Sequence, residues 1–194
     1  MRLLIALVLG IFLLTPAARG QARPEKGDRE WQLWTGGGHS LRTRTPATSV
    51  WNVGGRYGWV LSGPTGFGPL RGRFEYALEA VPIFWVFQPT GTAYGFGLNP
   101  VVLHWNFETR GRIAPYVDGG GGTLFTSQKV PRNTSRVNFT TTAAIGAQFL
   151  RSKYHWNVEL RFMHISNAGL TNPNPGINTL QLRLGIGWFT RPRR

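Results

Sequence analysis

The sequence predicts an all-β fold: an eight-stranded antiparallel β-barrel of the outer-membrane type, preceded by a signal peptide. The 194-residue chain contains 26 Gly, 13 Pro and 13% aromatic residues but only 15% charged residues. Eight segments alternate between apolar and polar residues with a period of two, which is typical of strands. Beyond the N-terminal segment, no stretch reaches the roughly 18 uninterrupted apolar residues that indicate a membrane-spanning helix. Together these observations favour a membrane protein that crosses the bilayer with strands.

The first 22 residues, MRLLIALVLGIFLLTPAARGQA, have the composition of a secretory signal peptide. The apolar run from Leu3 to Leu14 has 12 residues, whereas a spanning helix needs about 20, so we expect cleavage, after Gly20 or Ala22. The chain contains no Cys, which excludes a lipid anchor on cysteine, disulfides and thiolate metal sites. We expect residues 23–194 to form one barrel domain.

The strands are predicted from the alternation. Candidate strands lie near residues 30–39, 49–62, 71–86, 94–107, 113–125, 137–150, 153–165 and 177–189. In a membrane barrel the apolar face of each strand contacts lipid and the polar face points inward. We therefore expect Trp156, Leu160, Leu182 and Trp188 to face outward, and Glu159, Arg161 and Arg183 to face inward.

The predicted inward face carries acidic residues as well as basic ones. Two of the acids could act as the acid and base of a glycosidase. An eight-stranded barrel, however, has an interior that side chains fill, so no substrate fits there. We therefore interpret the inward residues as an ion-pair network made of Glu75, Glu79, Asp118 and Glu159 with Arg73, Arg161 and Arg183.

The connections between strands predict an orientation. Short turns at residues 109–112 and 152–153 are typical of the periplasmic side, and the longer loop at residues 167–176 is typical of the extracellular side. The segment GPTGFGPLRG, residues 63–72, is long for a periplasmic turn and fits this scheme less well.

The mature chain is strongly basic. Without Arg2 and Arg19 it has 20 basic and 8 acidic residues, a net charge of +12. Nucleic acid is a common partner of such proteins, but a signal peptide and a barrel pattern argue against it. Lipid phosphates are the anions that residues at strand ends would contact, and ordinary solubilising charge is the alternative. The basic residues concerned are Arg42, Arg44, Arg71, Arg73, Arg110, Arg112, Lys129, Arg132, Arg136, Arg151, Lys153 and the tail RPRR.

A His and a Ser two residues apart end the seventh predicted strand. The period of two places His164 and Ser166 on the lipid-facing side, near the outer interface. This is the arrangement that a nucleophile and its general base require. The alternative is that both are polar residues without a function, because polar groups near the interface cost little free energy.

The segment HISNAGLTNPNPGI, His164 to Ile177, resembles the active-site signature of the PagL-type lipid A 3-O-deacylases, also described as acyloxyacyl hydrolases. The resemblance implies an outer-membrane ester hydrolase whose substrate is lipid A or lipopolysaccharide. It implies Ser166 as the nucleophile and His164 as the general base. It also implies that Asn167 and Gly169 belong to the oxyanion-stabilising region, with Asn174 in the loop that follows.

One position departs from the signature. Where the family has a Glu, this chain has Asn178, on the outward face of the last predicted strand. An amide can orient His164 but cannot stabilise its charged form as a carboxylate does. Two hypotheses therefore stay open: a serine esterase of reduced activity, and a non-catalytic structural or lipopolysaccharide-binding barrel. A soluble lipid-binding barrel is disfavoured because its apolar face would point inward.

The resemblance implies no cofactor and no metal. The remaining histidines, His39, His104 and His155, are isolated in the sequence and are more typical of structural roles than of metal ligands. Besides its lipid substrate, we expect the protein to contact the surrounding outer-membrane lipid and not to bind nucleic acid. A homodimer is one of the arrangements that the sequence allows.

Overall fold

The computed structural model describes residues 23–41 and 47–191. They form a closed barrel of eight antiparallel strands, in which each strand pairs with its neighbours in sequence and the last closes against the first. The prediction of an eight-stranded antiparallel barrel is confirmed. The strands are β1 (Arg29–Ser40), β2 (Ser49–Val60), β3 (Gly72–Gln88), β4 (Gly91–Phe107), β5 (Ile113–Thr126), β6 (Val137–Leu150), β7 (His155–Ser166) and β8 (Ile177–Thr190).

Some predicted features lie outside the described residues. They are the signal peptide, residues 1–22, the two basic residues Arg42 and Arg44, and the last three residues of the tail, 192–194. Within the described ranges, no helix is long and apolar enough to cross a membrane.

The outer face is apolar, as the alternation predicts. The exposed fractions are 50% for Trp156, 44% for Leu160 and 55% for Leu182, and Trp188 lies on the same face, half-buried. Glu159, Arg161 and Arg183 point inward and are buried, which confirms the predicted phase. The reverse phase would place an Arg in hydrocarbon, at a cost of about 2–4 kcal/mol at the bilayer midplane.

The interior is filled by an ion-pair network. Arg161 reaches Glu159 at 2.6 Å and Asp118 at 3.1 Å, and Arg183 reaches Glu159 at 3.0 Å. A cavity of only about 10 Å³ lies beside these groups, space for about one water molecule. The interior carboxylates therefore have charged partners but no room for a sugar substrate.

The prediction missed one arginine of this network and included another that lies elsewhere. Arg56 on β2 is buried between Glu79, at 2.8 Å, and Asp118. Arg73 was expected in the network but is half-buried near the barrel end, with Glu108 at 3.6 Å. Arg73 lies at the second position of β3, where the barrel opens to solvent, so its long side chain extends to the rim.

The connections divide the barrel into two ends. The N-terminal end carries the connections 61–71, 108–112 and 151–154, and the opposite end, here called the motif end, carries 41–48, 89–90, 127–136 and 167–176. The β3–β4 connection is only Pro89 and Thr90, shorter than the other connections at the motif end. Gly91, with φ +132°, supports this tight turn because glycine tolerates a positive φ.

The long connection at the N-terminal end folds back on β3. The Thr65 N–H donates to Gly72 O at 2.8 Å, and the Gly72 N–H donates to Thr65 O at 2.9 Å. A 3₁₀ turn at Gly68–Leu70 lies between them. The segment that fits a short periplasmic turn poorly is thus a folded loop with its own backbone pairing.

Candidate active site

The antiparallel register of β7 and β8 brings the predicted site residues together. His164 on β7 lies directly opposite Asn178 on β8. Ser166, the last residue of β7, lies opposite Phe139 on β6. His164, Ser166 and Asn178 are all half-buried and lie on the outward phase of their strands. The site therefore faces away from the ion-pair network, at the motif end of the outer surface.

Asn178 fixes the orientation of the imidazole. Its Oδ1 lies 2.7 Å from His164 Nδ1. An amide oxygen can only accept a hydrogen bond, so this contact places the ring proton on Nδ1 and leaves the lone pair on Nε2. Among the described residues, Nε2 has no hydrogen-bond partner. His164 is thus held in the tautomer that a general base needs.

An amide supports this tautomer less firmly than a carboxylate does. If the Asn178 side chain turned over, its Nδ2 would donate to His164 Nδ1 and the ring proton would move to Nε2. A carboxylate has no donor at neutral pH, so it selects one tautomer in both orientations. Asn178 therefore orients the ring without adding charge.

Ser166 Oγ is not hydrogen-bonded to His164 or to any other residue of the described chain. Alternate residues on a strand are separated by about 6.5 Å, so the two side chains must lean toward each other to make the bond. Catalytic hydrogen bonds are often long or incomplete before substrate binds. The strand therefore places Ser166 and His164 side by side, but no hydrogen bond connects them.

The β7–β8 loop covers the His164 ring at Gly176. This residue has φ +64°, and a Cβ added to it would lie 2.7 Å from His164 Cε1. A side chain larger than hydrogen would displace the ring, because real Cβ atoms almost never approach so closely. Glycine at this position therefore lets the loop pass directly over the imidazole.

The same loop is organised by Asn167, which is fully buried. Its Nδ2 donates to Thr171 Oγ1 at 2.8 Å, and its Oδ1 accepts from the Gly169 N–H at 2.8 Å. The Asn167 backbone N–H donates to Asn174 Oδ1 at 3.1 Å. The N–H groups of Asn167 and Gly169 are thus used within the loop.

Two other donors of the loop that follows Ser166 have no partner among the described residues. One is the backbone N–H of Ala168, whose φ is 50°. The other is Nδ2 of Asn174, whose Oδ1 is held by Asn167. Tying down the oxygen of an amide directs its nitrogen elsewhere, so this Nδ2 is free to donate. The sequence alone could not show which donors are free, because these bonds form only in the folded loop.

Apolar side chains adjoin the polar site on the outer surface. Phe162 precedes His164 by two residues on β7 and lies opposite Leu180 of β8. Phe139 lies opposite Ser166. The exposed fractions of these three side chains are 37–41%. An acyl chain whose ester reaches Ser166 would find an apolar surface directly beside it.

A second Ser and His pair lies on the same outer surface. Ser49 Oγ lies 2.8 Å from His39 Nδ1 across the β1–β2 hairpin. His39 is exposed and lies opposite Leu180 of β8. Sequence reasoning treated His39 as isolated because Ser49 is ten residues away, yet the hairpin register joins them. Among the described residues, His39 has no Asn or carboxylate partner of the kind that His164 has.

The other two histidines lie inside the barrel. His104 Nδ1 accepts from Arg56 at 3.0 Å, and His155 Nε2 lies 2.9 Å from Glu30. In the part of the chain that the structure covers, no group of three His, Asp or Glu side chains is placed to hold a metal ion.

Comparison with known proteins places these features in a family. A family model described as lipid A 3-O-deacylase (PagL) matches residues 31–187. The crystal structure of the outer membrane enzyme PagL is similar at a TM-score of 0.61 and 19% identity, over 84% of this chain and 99% of that one. That of the outer membrane protein OprG from Pseudomonas aeruginosa is similar at 0.53 and 12%, over 90% and 100%. The comparison with curated proteins gave no match.

The two kinds of match support different conclusions. At 19% and 12% identity, the structural matches show the shared barrel fold. The family match extends over most of the chain and includes the segment with His164 and Ser166. The chain therefore belongs to the lipid A 3-O-deacylase (PagL) family.

Proposed function

We propose that this protein is an outer-membrane serine esterase that hydrolyses an ester-linked acyl chain of lipid A. The observation that carries the proposal is the contact between His164 and Asn178, which leaves the His164 lone pair free on the strand that also carries Ser166. Membership of the lipid A 3-O-deacylase family supports the reaction class and the substrate.

In the proposed reaction, Ser166 Oγ attacks the ester carbonyl while His164 Nε2 accepts the hydroxyl proton. The resulting oxyanion would accept hydrogen bonds from the Ala168 N–H and from Asn174 Nδ2. As the tetrahedral intermediate collapses, the bond to the sugar oxygen breaks and His164 returns the proton to that oxygen. A water molecule, deprotonated by His164, then attacks the acyl-enzyme, which releases the fatty acid and restores the Ser166 hydroxyl.

We propose that the substrate reaches this site from the side, within the membrane. The barrel interior is filled by ion pairs, so a path through the lumen is closed to a lipid. The site residues lie on the outward phase, next to the half-exposed surface of Phe139, Phe162 and Leu180. Lipid A in the outer leaflet would then need only to diffuse laterally to the motif end of the barrel.

A second candidate function is a non-catalytic barrel that binds lipopolysaccharide. The observation that favours it is the amide at position 178, which lacks the charge that stabilises an imidazolium in the transition state. In this alternative the site keeps its geometry and binds lipid A without cleaving it.

Mass spectrometry of lipid A from cells that express the protein tests the two functions. We expect the wild type to remove one ester-linked acyl chain, and Ser166→Ala and His164→Ala each to abolish that loss in a folded, heat-modifiable barrel. Ser49→Ala is the matched control, because it removes a hydroxyl from the other Ser and His pair on the same surface, and it should retain activity. Loss of activity in Ser49→Ala but not in Ser166→Ala would move the active site to His39. Intact lipid A with all four proteins would favour the binding function.

A further inference from the structure

The charges of the barrel are unevenly divided between its two ends. All eight acidic residues of the chain are described, and all lie in the interior or at the N-terminal end: Glu25, Asp28, Glu30, Glu75, Glu79, Glu108, Asp118 and Glu159. The connections at the motif end contain no acidic residue. The described cations there are Lys129, Arg132 and Arg136, all on the β5–β6 loop and all exposed.

Cations at the two ends have different surroundings. At the N-terminal end, Arg71 pairs with Glu108 at 2.6 Å, and Arg191 pairs with Glu25 and Asp28. Lys129 and Arg132 have no such pairing in the described chain, since no carboxylate lies at their end. Their charge is therefore available to an anion from outside the protein.

Two glutamines fasten the β5–β6 loop to the β3–β4 hairpin. Gln88 Nε2 donates to Lys129 O at 3.1 Å, and Gln88 Oε1 accepts from the Arg132 N–H at 3.0 Å. Gln128 Nε2 adds a bond to Thr92 O at 3.3 Å. The backbone at Lys129 and Arg132 is thus held by the same side chain, so an anion that binds these two residues need not order the loop.

These residues line an open cavity of about 430 Å³. Lys129 and Arg132 contribute the two charges, and neutral polar side chains complete the lining, from Gln88, Thr90, Gln128 and Asn133. An arginine fork and an ammonium group in a space lined by neutral polar side chains match the oxygens of a phosphate monoester, which carries about −1.5 to −2 charges at neutral pH.

We propose that Lys129 and Arg132 form a subsite for a phosphate monoester on the sugar headgroup of the lipid substrate. The proposal deepens the proposed esterase function and rests on it for the identity of the substrate. The subsite lies near the end of β3 and the start of β4, and Ser166 ends β7. At about 4.8 Å between neighbouring strands, the three strand steps from β4 to β7 correspond to about 14 Å along the barrel wall. Such a span exceeds a glycerophosphate headgroup and suits a phosphorylated oligosaccharide.

Equilibrium binding tests the subsite without relying on catalysis. The protein is the full chain carrying Ser166→Ala, in detergent micelles, and the probes are fluorescent lipid A with its phosphates and the same lipid after enzymatic dephosphorylation. We expect the phosphorylated probe to bind at least 10-fold more tightly. Adding Lys129→Gln and Arg132→Gln should bring the ratio of the two dissociation constants close to one. Adding Arg151→Gln and Lys153→Gln, which removes the same charge from the N-terminal end, should preserve it.

Competitors identify the source of the phosphate, and a second variant tests the loop. We expect unlabelled phosphorylated lipid A to displace the probe well before phosphatidylglycerol does, with inorganic phosphate weaker still. Gln88→Leu, which leaves both cations in place, should reduce the ratio because it releases the loop. Equal binding of the two probes, or equal competition by phosphatidylglycerol, would overturn the subsite.

The subsite and the esterase function fail in different ways. If the wild type leaves lipid A esters intact but the binding ratio depends on Lys129 and Arg132, the esterase function fails and the subsite stands. If the wild type cleaves lipid A and the ratio is unchanged in a folded Lys129→Gln and Arg132→Gln protein, the subsite is wrong and the esterase function stands. Heat-modifiable migration on gels confirms that each variant is a folded barrel.

Discussion

His164 Nδ1 lies 2.7 Å from Asn178 Oδ1, between two residues that face each other directly on β7 and β8. The Cβ atoms of such a pair are about 4.5–5.5 Å apart, so backbone pairing brings the two side chains within reach. The part of the site that does not depend on strand pairing is the β7–β8 loop, which carries Gly176 and the two free donors. The consequences of changing each part can be separated by experiment.

Gly176→Ala should reduce ester cleavage by about 10²-fold, because small misplacements of a catalytic group have effects of this size. The added Cβ would lie 2.7 Å from His164 Cε1, so the imidazole must turn away or the loop must lift. The measurement is the initial rate of fatty acid release from lipid A by purified protein in detergent.

Gly68→Ala is the control for that experiment. Gly68 has φ +53°, close to the φ of Gly176, but a Cβ there meets nothing within 4 Å and the residue lies at the N-terminal end. Both variants carry the strain of a non-glycine residue at positive φ, about 1–2 kcal/mol. A rate in Gly176→Ala equal to that in Gly68→Ala would show that the loop does not position the ring.

Arg56→Met should destabilise the barrel by about 3–5 kcal/mol, because it leaves Glu79 and Asp118 buried with less compensating charge. Arg73→Met should cost no more than about 1 kcal/mol, since Arg73 and Glu108 are partly exposed and 3.6 Å apart. Urea unfolding followed by tryptophan fluorescence in micelles measures both. Equal midpoints for the two variants would contradict the assignment of Arg56 to the buried network.

The fold was predictable because a membrane barrel imposes a strict rule on its sequence. Lipid on one side and a packed polar interior on the other force alternation along every strand, and that pattern is visible in single segments such as His155–Ser166. Arg56 obeys the same rule, since it shares its phase with the buried Asn52. It was missed because the glycines around it on β2 belong to neither an apolar nor a polar face, so the alternation is hard to recognise there.

Only the site residues that lie on strands could be placed from the sequence. The alternation predicts that His164 and Asn178 both face outward, and the register then sets them opposite each other. The hydrogen bonds of Asn167 with Thr171 and Asn174 depend on the shape of a ten-residue loop, which no periodicity describes. The His39 and Ser49 pair required the β1–β2 register, which depends on a loop that the sequence pattern does not fix.

The motif end should face the cell exterior, and the N-terminal end should face the periplasm. Epitope tags inserted at Leu170 and at Ser152, each probed with antibody on intact cells, measure the orientation. We expect labelling at Leu170 and none at Ser152, because longer loops in these barrels are extracellular. Ser152 labelling without Leu170 labelling would invert the barrel and remove the site from the outer leaflet.

Asn178→Asp should accelerate ester cleavage. Asp has the same length as Asn, so a carboxylate oxygen can keep the 2.7 Å contact to His164 Nδ1 while adding the charge that stabilises the imidazolium. In a serine protease the reverse change, Asp to Asn, lowers turnover by about 10⁴. We expect Asn178→Asp to recover part of such a factor, so the rate of ester cleavage should rise by about 10-fold or more. Asn178→Glu introduces the residue that the resemblance to the PagL-type signature implies at this position, and it should also increase the rate, although its longer side chain must bend to reach Nδ1.

Substitutions at position 178 separate the effect of a negative charge on His164 from the effect of orienting its ring. Asn178→Leu is the control, because it removes the hydrogen bond and frees the ring, and it should fall below the wild type. A gain in Asn178→Asp and Asn178→Glu together with a loss in Asn178→Leu would mean that the amide orients His164 and that the missing charge limits the rate. If all three variants fold, as shown by heat-modifiable migration, and all cleave lipid A at the wild-type rate, Asn178 does not act on His164 and the site works as a dyad of Ser166 and His164. Rates are compared as initial fatty acid release at saturating lipid A, so that differences in substrate binding do not enter the comparison.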